Sequence, residues 1–318
     1  MDIIQYEQFQ EGVLMKHVAI DNKQMPSVGF GTYLISNDKA NHLVYEALQK
    51  GYRHIDTAEG YQNESGVGEA IRRFGLNNDC TREEIFITTK LWPGNLAWGM
   101  PLKTYAATIE SCERSLRNLG VDYIDLYLIH APFGGAEGRS EQWRALIELQ
   151  KQGKLKHIGV SNFSQTHLEE LVNNGLPKPA ANQLELHPWS QKYDLVQYLN
   201  EQNITPIAYS SLVPLSTWRI VEGQDSAKTD LMRDEAIRDG FIFNELARKY
   251  QVSQAQILLR WALQEGYAVL PKSVNSQRIK QNIDLFNFSI SDEDMVLMNK
   301  LNKGDGVAWA SGDPLLTI

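Results

Sequence analysis

One phrase recurs along the chain and limits what it can fold into. It is an amphipathic stretch, then Gly or Asn, then a short run of β-branched and apolar residues. Gly51 precedes YRHIDTA, Gly120 precedes VDYIDLYLIH, Gly153 precedes KLKHIGVSNF and Gly175 precedes LPKPAANQLELH. Asn203 precedes ITPIAYSS, Gly266 precedes YAVLPKS, and Gly75 closes a helical stretch upstream of IFITTK. Gly or Asn just past a helix supplies the left-handed residue that ends it. The intervening stretches read as helices. Leu43, Val44, Ala47 and Leu48 share a face within 37–50, and Trp143, Leu146 and Ile147 share one after an N-cap at Ser140. Ile257, Leu258, Trp261 and Ala262 repeat the spacing within 253–264.

An earlier short strand over 28–32 brings the count to eight strands alternating with helices. Alternation implies parallel pairing through right-handed crossovers, and eight units favour a closed barrel over an open doubly wound sheet. The expected fold class is therefore α/β: a single (β/α)8 TIM barrel domain over 1–318. Three segments fall outside the repeat. Residues 17–25 are expected to form an N-terminal hairpin that closes the barrel floor. Residues 212–234 are expected to be an irregular substrate loop, and 302–318 an irregular C-terminal tail. Long loops at the C-terminal face of such a barrel build substrate pockets.

Composition narrows the partners. Lys and Arg number 31 against 39 Asp and Glu, a net charge of −8 with His neutral. Such a chain has no global attraction to phosphate backbones or anionic lipid, so neither nucleic acid nor membrane is expected as a partner. No apolar run approaches the ~18 residues that span a bilayer, and the N-terminus lacks a signal-type apolar core. Cys80 and Cys112 cannot build a disulfide scaffold or a Cys-rich zinc site. The expected setting is the cytoplasm, as a monomer or weak homodimer.

The chemistry should lie where the strands end, because polar side chains buried there are costly without a use. The second strand ends in Asp56, the third in Lys90 and the fourth in His130. The fifth ends in Ser161 and Asn162, the sixth carries Gln183, the seventh ends in Tyr209 and Ser210, and the eighth in Lys272 and Ser273. Taken singly, each has a structural reading: an N-cap for Asp56, a satisfied core imidazole for His130, backbone bonding for Asn162 and Gln183. Their convergence on one rim points to a site. No metal is expected, since HExxH, CxxC and His-x-His are absent. Gly29-Phe-Gly31 lacks the third glycine of a dinucleotide fingerprint, with Leu34 in its place.

The segment GYRHIDTAEGYQNESGVGEAI, with ITTKLWP, DLYLIHAP, IGVSNF, NQLELHP and PKSVNSQRIKQN, closely resembles the aldo-keto reductases. The resemblance covers roughly 17–301. It implies a barrel that uses NADPH, with NADH as a weaker alternative, to reduce aldehydes and ketones to alcohols. It places Asp56, Tyr61, Lys90 and His130 on the family's catalytic tetrad. Tyr61 would donate a proton, Lys90 would lower its pKa, Asp56 would hold Lys90, and His130 would position the carbonyl. Ser161, Asn162 and Gln183 match the residues that bind the nicotinamide carboxamide. Tyr209 matches the ring that stacks on the nicotinamide, and Ser210 and Leu212 match positions along the pyrophosphate. Lys272, Ser273 and Arg278 match the 2′-phosphate group, and Gln281 and Asn282 lie at the adenine. Gln281 stands where the family often has Glu, and Ala131 replaces a bulkier residue after His130. Tyr33, Trp92, Trp98, Phe133, Trp218 and Trp309 are expected to line the substrate pocket. Related barrels also serve as cofactor-sensing regulatory subunits, which is the alternative reading on the same fold.

Overall fold

A computed structural model of the chain describes residues 6–9, 13–21, 23–215, 227–304, 306, 308, 309 and 312–317. Eight strands form one sheet in sequence order: β4 (Phe30–Gly31), β5 (His54–Asp56), β6 (Phe86–Leu91), β7 (Ile124–Ile129), β8 (Leu155–Ser161), β9 (Ala181–Glu185), β10 (Thr205–Tyr209) and β11 (Ala268–Val269). Every neighbouring pair is parallel. The two ends meet through a parallel bridge between Val28 and Val269, with Gly29 N–H on Val269 O at 2.8 Å and Gly31 N–H on Pro271 O at 3.1 Å. The sheet is thus closed, as the repeat requires. Gly31 is needed at this seam, because a Cβ there would sit 2.9 Å from Leu270 O.

The helices are α1 (Asn37–Gln49), α2 (Glu64–Asn78), α3 (Tyr105–Leu119), α4 (Gly135–Lys151), α5 (Gln165–Asn173), α6 (Tyr193–Glu201), α7 (Ala227–Tyr250), α8 (Gln254–Gln264), α9 (Ser276–Ile283) and α10 (Asp292–Asn299). Their apolar faces pack on the outside of the sheet. Leu43, Val44, Ala47 and Leu48 of α1 are buried there, as are Ile257, Leu258, Trp261 and Ala262 of α8. The terminators behave as their chemistry dictates. Gly51, Gly120, Gly153, Gly175, Asn203 and Gly266 all have positive φ.

Three boundaries differ from the sequence reading. α2 runs through Gly75 and ends at Asp79, whose φ is +51°. α4 starts five residues before Ser140, because Gly134 and Gly135 turn the chain with positive φ; Ser140 is buried inside the helix and accepts from Asn174. Residues 227–234, expected as loop, belong to α7. The stretch AKTDLMRD is rich in helix formers but shows no clear apolar stripe, so periodicity hid it.

The expected floor hairpin is present. β2 (Val13–Ile20) pairs antiparallel with β3 (Lys23–Pro26), and a further strand, β1 (Tyr6–Phe9), pairs with β2. Ile20 and Met25 plug the barrel interior against Leu126, Leu128, Ile207 and Leu270.

Candidate active site

At the opposite end, the side chains that close each strand converge. Lys90 is completely buried, and its Nζ donates to Asp56 Oδ1 at 2.6 Å and to the Thr57 carbonyl at 2.8 Å. The other oxygen, Asp56 Oδ2, accepts from Gln183 Nε2 at 2.8 Å. β5 and β9 lie four strands apart in the ring, so this bond crosses the barrel mouth. A buried charge is tolerated only when paired and hydrogen-bonded. Here burial lowers the Lys90 pKa while the Asp56 carboxylate opposes that shift.

Tyr61 ends a single helical turn, Glu59–Tyr61, just beyond β5, with its ring centroid 5.1 Å from Lys90 Nζ. Its phenol pKa stands well above the ordinary value, because burial dominates and the Asp56 carboxylate and Tyr33 add to it. The expected lowering by Lys90 is not found. The lysine charge is already engaged by Asp56 and Thr57. His130 lies edge-on to Tyr61 at 5.7 Å between centroids. Burial first, and then Lys90, hold its pKa well below the ordinary value, so the ring is neutral at pH 7. Its Nδ1 is buried without a hydrogen-bond partner among the described residues, which marks a polar atom with capacity to spare.

The aromatic residues gather above this group. Trp92 stacks nearly parallel to Trp98 at 5.8 Å and to Trp309 at 6.5 Å, and Phe133 stands edge-on to both Trp92 and Trp98. Trp92 and Trp309 both face His130 edge-on, at 5.6 and 6.3 Å. Tyr33 leans on Tyr61 at 5.1 Å and is half exposed at the mouth. Trp218 lies outside the described residues, as do its neighbours over 216–226.

A second group flanks the first. Ser161 Oγ donates to the Gln183 carbonyl, and Asn162, at φ +63°, donates to the His130 carbonyl at 3.0 Å. Asn162 Oδ1 accepts from the Tyr209 hydroxyl at 2.7 Å. Ser210 follows at φ +56° and turns the chain into the short helical turn Val213–Leu215, next to half-buried Leu212.

A third group sits beyond β11. Lys272 and Arg278 are exposed, and neither has a carboxylate partner among the described residues. Ser273 Oγ accepts from Asn275 N–H, and Asn275 caps α9 by accepting from Arg278 N–H. Gln281 and Asn282 follow on α9, with Asn282 buried.

Two acidic side chains escaped the sequence reading. Glu59 accepts from Lys103 at 2.5 Å, from Arg114 at 2.6 Å and from the Trp92 N–H at 3.1 Å, tying the Tyr61 turn to the aromatic wall. Burial opposes its ionisation, but these donors together lower its pKa. Glu185 is buried at the end of β9, with His187 Nε2 on one oxygen at 2.9 Å and Ala308 N–H on the other at 2.7 Å. Its signal was available, since Gln183 and Glu185 alternate with period two and share a strand face. Among the described residues no three His, Cys, Asp or Glu side chains are grouped to hold a metal ion.

Fold and rim together define a closed parallel barrel with a candidate site at the strand C-termini. The chain belongs to the aldo/keto reductase family, whose model matches residues 27–303. It is 39% identical over 285 residues to a glyoxal reductase of Bacillus subtilis, covering 89% of this chain and 91% of that one. It is 36% identical over 284 residues to the methylglyoxal reductase DkgA of Escherichia coli, covering 89% and 92%. The crystal structure of a Bombyx mori aldo-keto reductase in complex with NADP superposes with a TM-score of 0.80 at 34% identity, covering 94% of this chain and 97% of that one.

Proposed function

We propose that this chain is an NADPH-dependent carbonyl reductase acting on small aldehydes, including α-oxoaldehydes of the glyoxal and methylglyoxal type. The observation that carries the reading is the buried Asp56–Lys90 pair under the ring of Tyr61, with neutral His130 alongside. Tyr61 is the proton donor. Its phenol keeps its proton at neutral pH and yields it to the carbonyl oxygen as negative charge develops there. Lys90 lies close enough to stabilise that charge, and Asp56 keeps the ammonium charged and aimed. His130 donates a hydrogen bond from a neutral ring and fixes the carbonyl.

NADPH, when bound, supplies the hydride. The residues present fit it. Ser161, Asn162 and Gln183 offer hydroxyl and amide groups beside the tetrad, and Tyr209 offers a ring. Lys272 and Arg278 form a basic pair that suits a dianionic 2′-phosphate, with Ser273 between them and the capped start of α9. Ser210 and Leu212 would follow the pyrophosphate, and Gln281 and Asn282 the adenine. The rings of Tyr33, Trp92, Trp98, Phe133 and Trp309 around His130 favour aromatic or aliphatic carbonyls over very polar ones. We read 1–318 as one barrel unit, with the segments over 212–234 and 302–318 shaping substrate choice.

The test is NADPH oxidation by purified protein against a panel of α-oxoaldehydes, aromatic aldehydes, aldose sugars, ketones and keto acids. Turnover is expected to be fastest on small neutral aldehydes. A protein that binds NADPH but turns over no member of the panel would favour the cofactor-sensing alternative instead.

A further inference from the structure

Trp309 stands in the wall of the substrate pocket, but its indole N–H points elsewhere. It donates to the Tyr209 hydroxyl at 2.8 Å. That hydroxyl donates in turn to Asn162 Oδ1 at 2.7 Å, and Asn162 Nδ2 donates to the His130 carbonyl at 3.0 Å. We infer that Trp309 is a positioning residue for the cofactor: its N–H, held in place by a latch on Glu185, fixes the Tyr209 ring against which the nicotinamide stacks. This rests on the reading of Tyr209 and Asn162 given above, and it adds a tail residue to the cofactor site.

Two features carry the inference. The first is that Tyr209 is held from both sides. A phenol has one O–H to give, and here it is committed to Asn162 while Trp309 fills an acceptor position. With both bonds made, swinging the ring to another setting about Cα–Cβ carries the hydroxyl away from at least one partner. The second is that described residues on both sides of Trp309 are tied to the barrel. Ala308 N–H, next to Trp309, is bound by buried Glu185, whose other oxygen is taken by His187. Gly306 N–H is bound by Asp313 at 3.1 Å, and Asp313 pairs with Lys192 at 2.7 Å. A Cβ at Gly306 would lie 2.6 Å from Asp313 Oδ2 and 2.9 Å from Glu185 Oε2, so a side chain there must displace these carboxylates. The same indole faces His130 and lies within 12° of parallel to Trp92. One side chain therefore touches the substrate wall and the cofactor-stacking ring together.

The experiment is calorimetric titration of NADPH into the full chain and its variants, with thermal melting as a fold check. Trp309→Phe keeps an aromatic ring and removes only the donor. A neutral hydrogen bond of this kind predicts binding weakened by about 3- to 10-fold. Tyr105→Phe, a partly exposed side chain of α3 outside this chain of hydrogen bonds, is expected to bind NADPH as the wild type does. In a Tyr209→Phe background, adding Trp309→Phe should cost little more, because its partner is already gone. Gly306→Ala, which disturbs the latch without touching either ring, should weaken binding in the same direction. Wild-type affinity in Trp309→Phe, or the same loss with and without the Tyr209 hydroxyl, overturns the inference. Wild-type protein that fails to bind NADPH at all overturns the cofactor reading beneath it, which is a separate result.

Discussion

His54 and Asp56 stand two residues apart on β5, so their side chains share the inward face, yet they serve opposite ends of the barrel. At the floor, His54 is fully buried with both ring nitrogens engaged: Nδ1 with the Pro26 carbonyl at 3.2 Å and Nε2 with Thr88 Oγ1 at 2.9 Å. The β2–β3 hairpin lies over it, and Thr205 Oγ1 ties that hairpin to β10 through the Ala19 carbonyl. At the rim, Asp56 is paired with Lys90, and the imidazole of His130 beyond it keeps a buried nitrogen with no partner among the described residues. At the floor His54 spends both ring nitrogens on the protein, while His157, bound through Nδ1 to Asp21 in the hairpin turn, has a buried Nε2 without a partner among the described residues. The rim holds a charge pair, an unsatisfied nitrogen and half-exposed aromatic rings facing a mouth. Buried polar residues and an unpaired ring nitrogen occur at both ends, so neither marks a site alone; the rim adds the fully buried Asp56–Lys90 pair beneath a wall of aromatic rings.

The sharpest way to break this contrast is Tyr61→Phe. Removal of a general acid costs ~10²–10⁴ in rate. We expect kcat on a small aldehyde to fall by that order, while NADPH affinity and melting temperature stay near wild type. A Phe variant with near-wild-type kcat would remove Tyr61 from the chemistry. The floor should respond in the converse way. Met25→Ala opens a cavity among buried apolar side chains and should cost about 2–5 kcal/mol of stability. The kcat per folded molecule should hold, as read by urea unfolding alongside activity.

Acid should separate the ends as well. Burial lowers the His54 pKa from 6.5 to about 4, with Asp56 and the Pro26 carbonyl opposing and Lys90 assisting. The unfolded chain takes up the proton first, so the stabilising effect of the neutral ring is complete above the unfolded pKa. It is lost progressively as pH falls from 6.5 to about 4. The total is on the order of 3 kcal/mol. His54→Gln should flatten that acid limb of the stability profile, and an unchanged limb would assign it to other groups.

The smallest effect belongs to the third group on the rim. The Lys272→Ala, Arg278→Ala double variant should lose most of an NADPH-over-NADH preference of ~10²-fold, since charge-assisted hydrogen bonds are worth ~1.5–3 kcal/mol each. Titration of both cofactors into both proteins reads it directly. Equal affinity for the two cofactors in the wild type would withdraw the phosphate assignment.

The eight-fold alternation, its glycine terminators and the strand-end residues were all legible in the chain, because they depend on local rules: left-handed φ at Gly and Asn, and periods of two and near four. Asp56, Lys90, His130, Asn162, Gln183 and Tyr209 could be nominated because a strand end is a place a sequence can locate. The family motifs added Tyr61, which lies beyond its strand. What the chain alone did not reveal was decided by partners far apart in sequence. Gln183 reaches Asp56 from the opposite side of the ring. Burial, with the Asp56 carboxylate and Tyr33 adding to it, sends the Tyr61 pKa upward rather than down. Glu59 and Glu185 become anchors only when Lys103, Arg114 and the backbone of Ala308 arrive. Hydrogen bonds and desolvation act over a few ångströms of space and take no account of distance along the chain, so these features were settled only when the barrel closed.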